Sequence, residues 1–220
     1  MLDGTERANV PRPRGRSNNS VFLNIPYDED FRRLYVAYIV GLIYVGLEPR
    51  VTLSIPGGKR RLDRILALIG GCRYSIHDLS RVELDRTAPR TPRFNMPFEL
   101  GLAVCWAGVH PARHEWFLFE TISWRAAKSL SDLNATDPNI HGGTVQGVMR
   151  ELCNAFVRTR PRPSVPEMLR AYRLVSRQLE QTLRTAGAKT IFEARIFSDL
   201  CVNAGIAANL QRSQSANPLP

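Results

Sequence analysis

The chain has 220 residues, 44% of them apolar and 23% charged. That is the composition of a globular protein with a real core, and it excludes a disordered or collagen-like chain. Its four cysteines (Cys72, Cys105, Cys153, Cys201) are far apart, with no CxxC pair and no histidine at ligand spacing, so neither a disulfide framework nor a zinc site is expected. The formal charge is +10, but residues 20–157 hold 16 basic against 14 acidic side chains, while residues 158–186 hold seven Arg against two Glu. No row of aromatic stacking platforms accompanies those arginines. The excess therefore reads as a solvated helix face plus a basic linker, and nucleic acid is not expected as a partner. No apolar run approaches the roughly 18 residues of a membrane span. A cytoplasmic protein with reduced thiols is expected.

Residues 1–19 are polar, with four Arg against two acids, and lack the apolar centre of a secretory signal. They read as a disordered lead-in. Val21–Ile25 is a short apolar run ending at Pro26 and reads as a buried strand. Asp28-Glu29-Asp30 then suits a helix start, and Phe31, Leu34, Tyr35, Tyr38, Ile39, Leu42 and Ile43 repeat at three- and four-residue steps up to Gly46. Pro49–Ile55 reads as a second strand, broken by Pro56-Gly57-Gly58. Leu62, Ile65, Leu66 and Ile69 make a second helical stripe, and Arg73–Ile76 a third strand. Residues 81–93 are a polar loop of the length that often serves function. A helix is expected from Pro97 to Trp106, and a fourth strand at Glu115–Glu120.

Ser123–Leu133 reads as a further helix, Asn134–His141 as a loop and Thr144–Val157 as a helix. Ser164-Val165-Pro166-Glu167 and Thr190-Ile191-Phe192-Glu193 match capping boxes. Met168, Tyr172, Val175, Leu179 and Leu183 form a stripe of nearly heptad spacing. It either packs on the chain's own α/β domain or forms the seam of a homodimer. Residues 211–220 read as an unstructured tail. The expected organisation is a basic lead-in over 1–19, an α/β domain over 20–158, a helical extension over 159–210 and a tail over 211–220. Alternating strands and helices predict a mostly parallel sheet covered on both faces, with a ligand crevice at the carboxyl ends of its strands.

The most specific chemical suggestion is Glu99, placed by this reading in the first turn of the helix that follows Phe94-Asn95-Met96-Pro97-Phe98. It is either a solvated helix-start acid or a carboxylate aimed at a reacting carbon. Asp78 closes the third strand, either as a turn former or as a proton donor or base contact beside Glu99. Tyr27 is a rim aromatic or an orienting hydroxyl. Asn95 shapes its turn or binds a sugar hydroxyl, Ser80 adjoins Asp78, and His141 structures its loop or reaches the crevice. Arg81 and Arg93, with Arg86 and Arg90, are loop arginines able to contact phosphate.

Ile76-His77-Asp78-Leu79-Ser80, a variable loop, and then Asn95-Met96-Pro97-Phe98-Glu99-Leu100-Gly101-Leu102-Ala103 resemble the nucleoside 2-deoxyribosyltransferase superfamily. That group includes deoxynucleotide N-glycosidases and is related in fold to TIR domains that cleave NAD. The resemblance covers roughly residues 20–121. It implies a flavodoxin-like, Rossmann-like parallel sheet of four to five strands, while the chain after Leu133, including the helical C-terminal extension, has no counterpart in the family. It implies Glu99 as nucleophile at C1′ of a ribosyl or deoxyribosyl group, Asp78 near the base and Tyr27 as an orienting residue. The expected substrate is a nucleoside, a nucleotide or an NAD-like dinucleotide, with no cofactor and with a homo-oligomeric assembly. A non-catalytic TIR-like nucleotide-sensing module is the competing expectation.

Overall fold

A computed structural model describes residues 18–55, 60–82, 89–133, 136–159 and 162–216. The lead-in up to Ser17, the Pro56-Gly57-Gly58 break, Arg86 and the last four residues lie outside the described residues.

Five strands form one sheet: β1 (Ser20–Asn24), β2 (Glu48–Arg50), β3 (Tyr74–Asp78), β4 (Glu115–Glu120) and β5 (Asn139–Ile140). They are all parallel, in the order β2-β1-β3-β4-β5. This is the flavodoxin-like α/β arrangement, with its switch point between β1 and β3. Helices cover it: α1 (Arg32–Tyr44), α2 (Arg61–Gly71), α3 (Asn95–Val109), α4 (Arg125–Ser129), α5 (Val145–Ala155), α6 (Val165–Ala186) and α7 (Ala194–Ala216). β1 is buried along its whole length, which is why it reads as a continuous apolar run rather than an alternating one.

Several elements differ from the sequence reading. β2 ends at Arg50, and Thr52–Ser54 forms a 3-10 turn closed by Ile55 N–H on the Thr52 carbonyl. The residues expected to continue the strand instead curl under the rim. β5 occupies the end of an expected loop, because two residues are too few to carry any periodicity. The expected Ser123–Leu133 helix is a short α4 followed by a 3-10 turn at Ser131–Leu133. α7 continues to Ala216, six residues into the expected tail. Its last turns are tied down from inside: Arg170 Nε donates to Gln211 Oε1 at 2.8 Å and Arg212 Nη2 to the Tyr44 carbonyl at 2.6 Å.

The near-heptad stripe is used within the chain. Met168, Val175 and Leu179 are buried and join a single core with α1, α5 and α7. Ten of the thirteen α1 residues are buried, because the sheet covers one side of α1 and α5, α6 and α7 cover the others. The close approach needs Gly41, where an added Cβ would stand 2.5 Å from Leu152 Cδ1. Ser164 and Glu167 close the capping box of α6 reciprocally.

Beneath the switch point a buried chain of polar groups joins β1, β3 and the end of α2. Asn24 and His77 are register partners. Asn24 Nδ2 lies 3.0 Å from His77 Nδ1, His77 Nε2 3.0 Å from Ser75 Oγ, Ser75 Oγ 2.9 Å from His114 Nε2, and His114 Nδ1 2.9 Å from the Cys72 carbonyl. An amide N–H donates only, and a carbonyl accepts only, so the protons run one way along the chain. His77 carries its hydrogen on Nε2 and His114 on Nδ1. Burial, and then the neighbouring His114, push the His77 pKa down to about 3.

His77 stays neutral in the fold while its unfolded counterpart takes up a proton below about 6.5. The folded value is depressed, so His77 stabilises the fold above that pH, and the contribution is lost as pH falls from 6.5 toward 3. Urea unfolding at pH 7, 5.5 and 4 should show stability falling by up to about 1.4 kcal/mol per pH unit from this group alone. A second expectation concerns Gly147, whose added Cβ would lie 1.8 Å from the His141 carbonyl oxygen. Because the obstacle is backbone, Gly147→Ala should destabilise by at least about 1–3 kcal/mol in the same assay.

Candidate active site

The pleat of β3 divides the carboxyl edge of the sheet into two buried clusters. Successive side chains point to opposite faces. His77 faces Phe22 and Asn24, on the side covered by α2 and α3, and Asp78 faces Tyr38 of α1.

On the α3 side, α3 begins at Asn95, with the first helical bond from Phe98 N–H to the Phe94 carbonyl. Pro97 falls within the turn whose N–H groups have no helical acceptor, so it fits there at no cost. This shifts Glu99 out of the first turn, where the sequence reading places it, and into the second. Its support is therefore side-chain rather than helix-field. Arg61 Nη2 stands 3.4 Å from Glu99 Oε1, and Asn95 hydrogen-bonds the carboxylate. Glu99 is 3% exposed. Burial pushes its pKa up, against the lowering pull of Arg61 and Asn95.

Tyr27 shares this site. Its half-buried ring packs at 5.8 Å on both Tyr35 and Phe192, and its hydroxyl hydrogen-bonds Thr52. Burial pushes the hydroxyl up to about 12, so it remains a proton donor at neutral pH. Tyr27, Thr52, Arg61, Glu99 and Asn24 line a cavity of about 10 Å³, the room of roughly one water. The Arg61 side chain, 56% exposed, is the charged group toward solvent.

On the α1 side, Asp78 is fully buried. It accepts from the Tyr38 hydroxyl at 2.7 Å and from Ser80 N–H at 2.8 Å. His141 Nδ1 accepts from Gly143 N–H at 3.1 Å, so its hydrogen lies on Nε2, which is 3.1 Å from both Asp78 Oδ2 and Ser80 Oγ. Asp78 and Ser80 thus meet the same ring nitrogen. This is not the relay of a nucleophilic serine, in which acid and serine occupy opposite nitrogens. The cluster pins the ends of β3 and β5 to α1, and its residues do not line the Glu99 cavity.

Between the two clusters, Asp28 receives Arg81 Nε at 3.4 Å and Arg93 Nη1 at 3.3 Å, while Arg81 also reaches Asp30 at 3.1 Å. Asp28 also caps its turn through Phe31 N–H. These partly exposed guanidinium groups stand at the β1–β3 switch point, where ligands of such sheets bind.

The structure thus gathers Glu99, Tyr27 and Asn95 in one place, and Asp78, Ser80 and His141 in another. Arg81 and Arg93 sit on the rim. Sequence reasoning missed Arg61, whose only signal is its place at a helix start after a glycine break, and Tyr38, which is hidden in an apolar stripe. It also missed Glu120, which is fully buried and held by Arg125, while Arg125 Nη2 donates to the Leu79 carbonyl at 3.0 Å. A groove of about 1000 Å³ lies elsewhere, between the β2 edge and α7. Its charged pair, Glu48 and Arg50, is spent on itself. Comparison with family models, curated proteins and solved structures gives no match.

The raised Glu99 value sets a sign. Its proton is bound more tightly in the fold than in the unfolded chain, where a glutamate titrates near roughly 4.3. Glu99 therefore favours the fold at low pH and loses that contribution as pH rises. Glu99→Gln should raise the melting temperature at pH 8, and the gain should vanish by about pH 4 in thermal scans followed by circular dichroism. Tyr38→Phe removes a donor from a buried carboxylate and should cost about 1–3 kcal/mol in equilibrium unfolding at pH 7.

Proposed function

We propose that this chain breaks or transfers an N-glycosidic bond of a nucleoside, nucleotide or NAD-like substrate, with Glu99 as the nucleophile at C1′. The observation that carries the reading is a buried carboxylate at the switch-point rim that shares its cavity with a tyrosine hydroxyl and an arginine. The resemblance to the nucleoside 2-deoxyribosyltransferase superfamily supports it independently through the residues around Asp78 and Glu99.

In this mechanism a Glu99 oxygen forms a bond to C1′ as the C1′–N bond breaks. The base leaves with the bonding pair and takes a proton from solvent. Water, or a second base, then attacks C1′ of the glycosyl ester and frees the carboxylate. Arg61 keeps enough of the carboxylate ionised to attack, against the effect of burial. The Tyr27 hydroxyl orients it, and the Asn95 amide holds its outer oxygen or a sugar hydroxyl. Arg61 swings outward to admit the sugar, because the present cavity holds only about a water. Arg81 and Arg93 favour a phosphorylated substrate by charge-assisted hydrogen bonds. Asp78, Ser80 and His141 act as the frame beneath this site, with their polar atoms already engaged.

One observation favours a second reading. The tightness of the Glu99 cavity suits a nucleotide-sensing module that binds at the rim and turns nothing over. Purified protein incubated with nucleosides, nucleotides and NAD should release free base, detected chromatographically. Glu99→Gln should lower the rate by at least about a hundredfold, as loss of a nucleophile requires. Equal release by Glu99→Gln would refute the nucleophile. Ligand binding in calorimetry with no release by the wild type would favour the sensing module.

A further inference from the structure

One acceptor is left over once the buried polar chain beneath the switch point has been satisfied. That chain ends on the Cys72 carbonyl, which only accepts, so His114 carries its hydrogen on Nδ1 and its Nε2 accepts from Ser75 Oγ. Ser75 Oγ accepts in turn from His77 Nε2, and His77 Nδ1 accepts from Asn24 Nδ2 at 3.0 Å. Asn24 Nδ2 also lies 3.5 Å from the Met96 carbonyl. The Asn24 amide is therefore held in one of its two orientations, and the choice is made at the far end of the chain.

The remaining atom is Asn24 Oδ1. It meets no donor among the described residues. Asn24 is 4% exposed, yet Oδ1 is not sealed in the packing as the Tyr35 and Tyr44 hydroxyls are. Asn24 lines the cavity that also holds Glu99, Tyr27 and Arg61. Met96, which its amide approaches, stands three residues before Glu99 on the same side of α3. A buried acceptor with no partner is costly to keep, and this one borders the cavity of a candidate nucleophile.

The size of the cavity and the direction of attack point to the missing donor. About 10 Å³ is room for roughly one water, and so for one hydroxyl oxygen. A nucleophile that displaces the base approaches C1′ from the face of the sugar opposite the base. The 2′-hydroxyl of a ribosyl group lies on that face, on the carbon next to C1′. A 2′-deoxyribosyl group carries only hydrogen there.

We propose that Asn24 selects ribosyl over 2′-deoxyribosyl substrates by accepting a hydrogen bond from the 2′-hydroxyl through Oδ1. His77, Ser75 and His114 are the positioning residues that hold its amide in that sense. The inference rests on the reading of Glu99 as a nucleophile at C1′. A deoxyribosyl substrate leaves Oδ1 unmet in a closed site, a mismatch that hydrogen-bonding sites discriminate against strongly.

The test takes the full chain and matched ribosyl, 2′-deoxyribosyl and arabinosyl nucleotides of each common base, with base release and calorimetric affinity measured for each. The ribosyl form should exceed the other two in kcat/KM by at least about a hundredfold, because arabinose carries its 2′-hydroxyl on the opposite face. Asn24→Ala should bring the three within about tenfold, chiefly by raising KM for the ribosyl form. Ser75→Ala, which removes a link of the chain without touching the cavity, should narrow the ratio while leaving kcat for the 2′-deoxyribosyl form unchanged. General loosening of the fold would not produce that split. Circular dichroism establishes that each variant folds, and Ser75→Ala carries the test should Asn24→Ala not. Equal kcat/KM for ribosyl and 2′-deoxyribosyl forms, or a ratio unchanged in Asn24→Ala, overturns the assignment and leaves the glycosidic reading standing. Release from none of the nucleotides overturns the glycosidic reading, and affinity then decides the assignment by itself. A ribosyl preference in binding that is lost in Asn24→Ala supports it, and equal or absent binding overturns it.

Discussion

A carboxylate taken wholly out of water must be met by donors, and that requirement at Asp78 organises the carboxyl edge of this sheet. The Tyr38 hydroxyl, the Ser80 amide and His141 come from α1, the turn after β3 and the end of β5. Each donor fixes the position of its own element, so satisfying one side chain sets the relation of three parts of the fold. The same logic holds on the other face of β3, where Asn24, His77, Ser75 and His114 satisfy one another in a single proton direction. With both faces of the strand locked, the rim can hold a poorly solvated glutamate without collapsing around it.

That division also decides which acids can work together. Asp78 and Glu99 lie close in motif space, yet the period-two alternation of a strand sends Asp78 toward α1 while α3 lies across the sheet. Glu99 finds its partners in Arg61, Asn95 and Tyr27 instead. Burial pushes the pKa of this carboxylate up, while Arg61 and Asn95 pull it down. Such a group is a burden to the stability of the fold once it is ionised.

Much of this architecture was legible in the residues. β1, α1, α2, β3 and β4 follow from apolar spacing and from glycine and proline stops, and the α6 capping box reads directly from Ser164 and Glu167. What escaped was short or tertiary. A two-residue β5 leaves no pattern, and β2 stops early because Thr52 is drawn beneath Tyr27. The tail of α7 looks unstructured until Gln211 and Arg212 find partners on α6 and α1. Glu99 and Tyr27 could be singled out by position after a strand or at a helix start. Arg61 and Tyr38 could not, because only the fold brings them from distant segments to a buried acid. That Asp78 and Glu99 find different partners has the same origin, since spacing along the chain does not say which face of a strand a side chain takes.

The packing of Phe192 on Tyr27 has a consequence for how the molecule divides. Phe192 lies just before α7, whereas Tyr27 follows β1, and Tyr35 of α1 stands against both rings. With α1 enclosed by α5, α6 and α7 as well as the sheet, no cut after α5 would leave a self-sufficient α/β unit. A truncated chain would lose one wall of Tyr27 and bare the apolar flank of α1. The helical extension is thus part of the smallest autonomous folding unit, and evolutionary exchange of this extension would have to carry the rim tyrosine's environment with it.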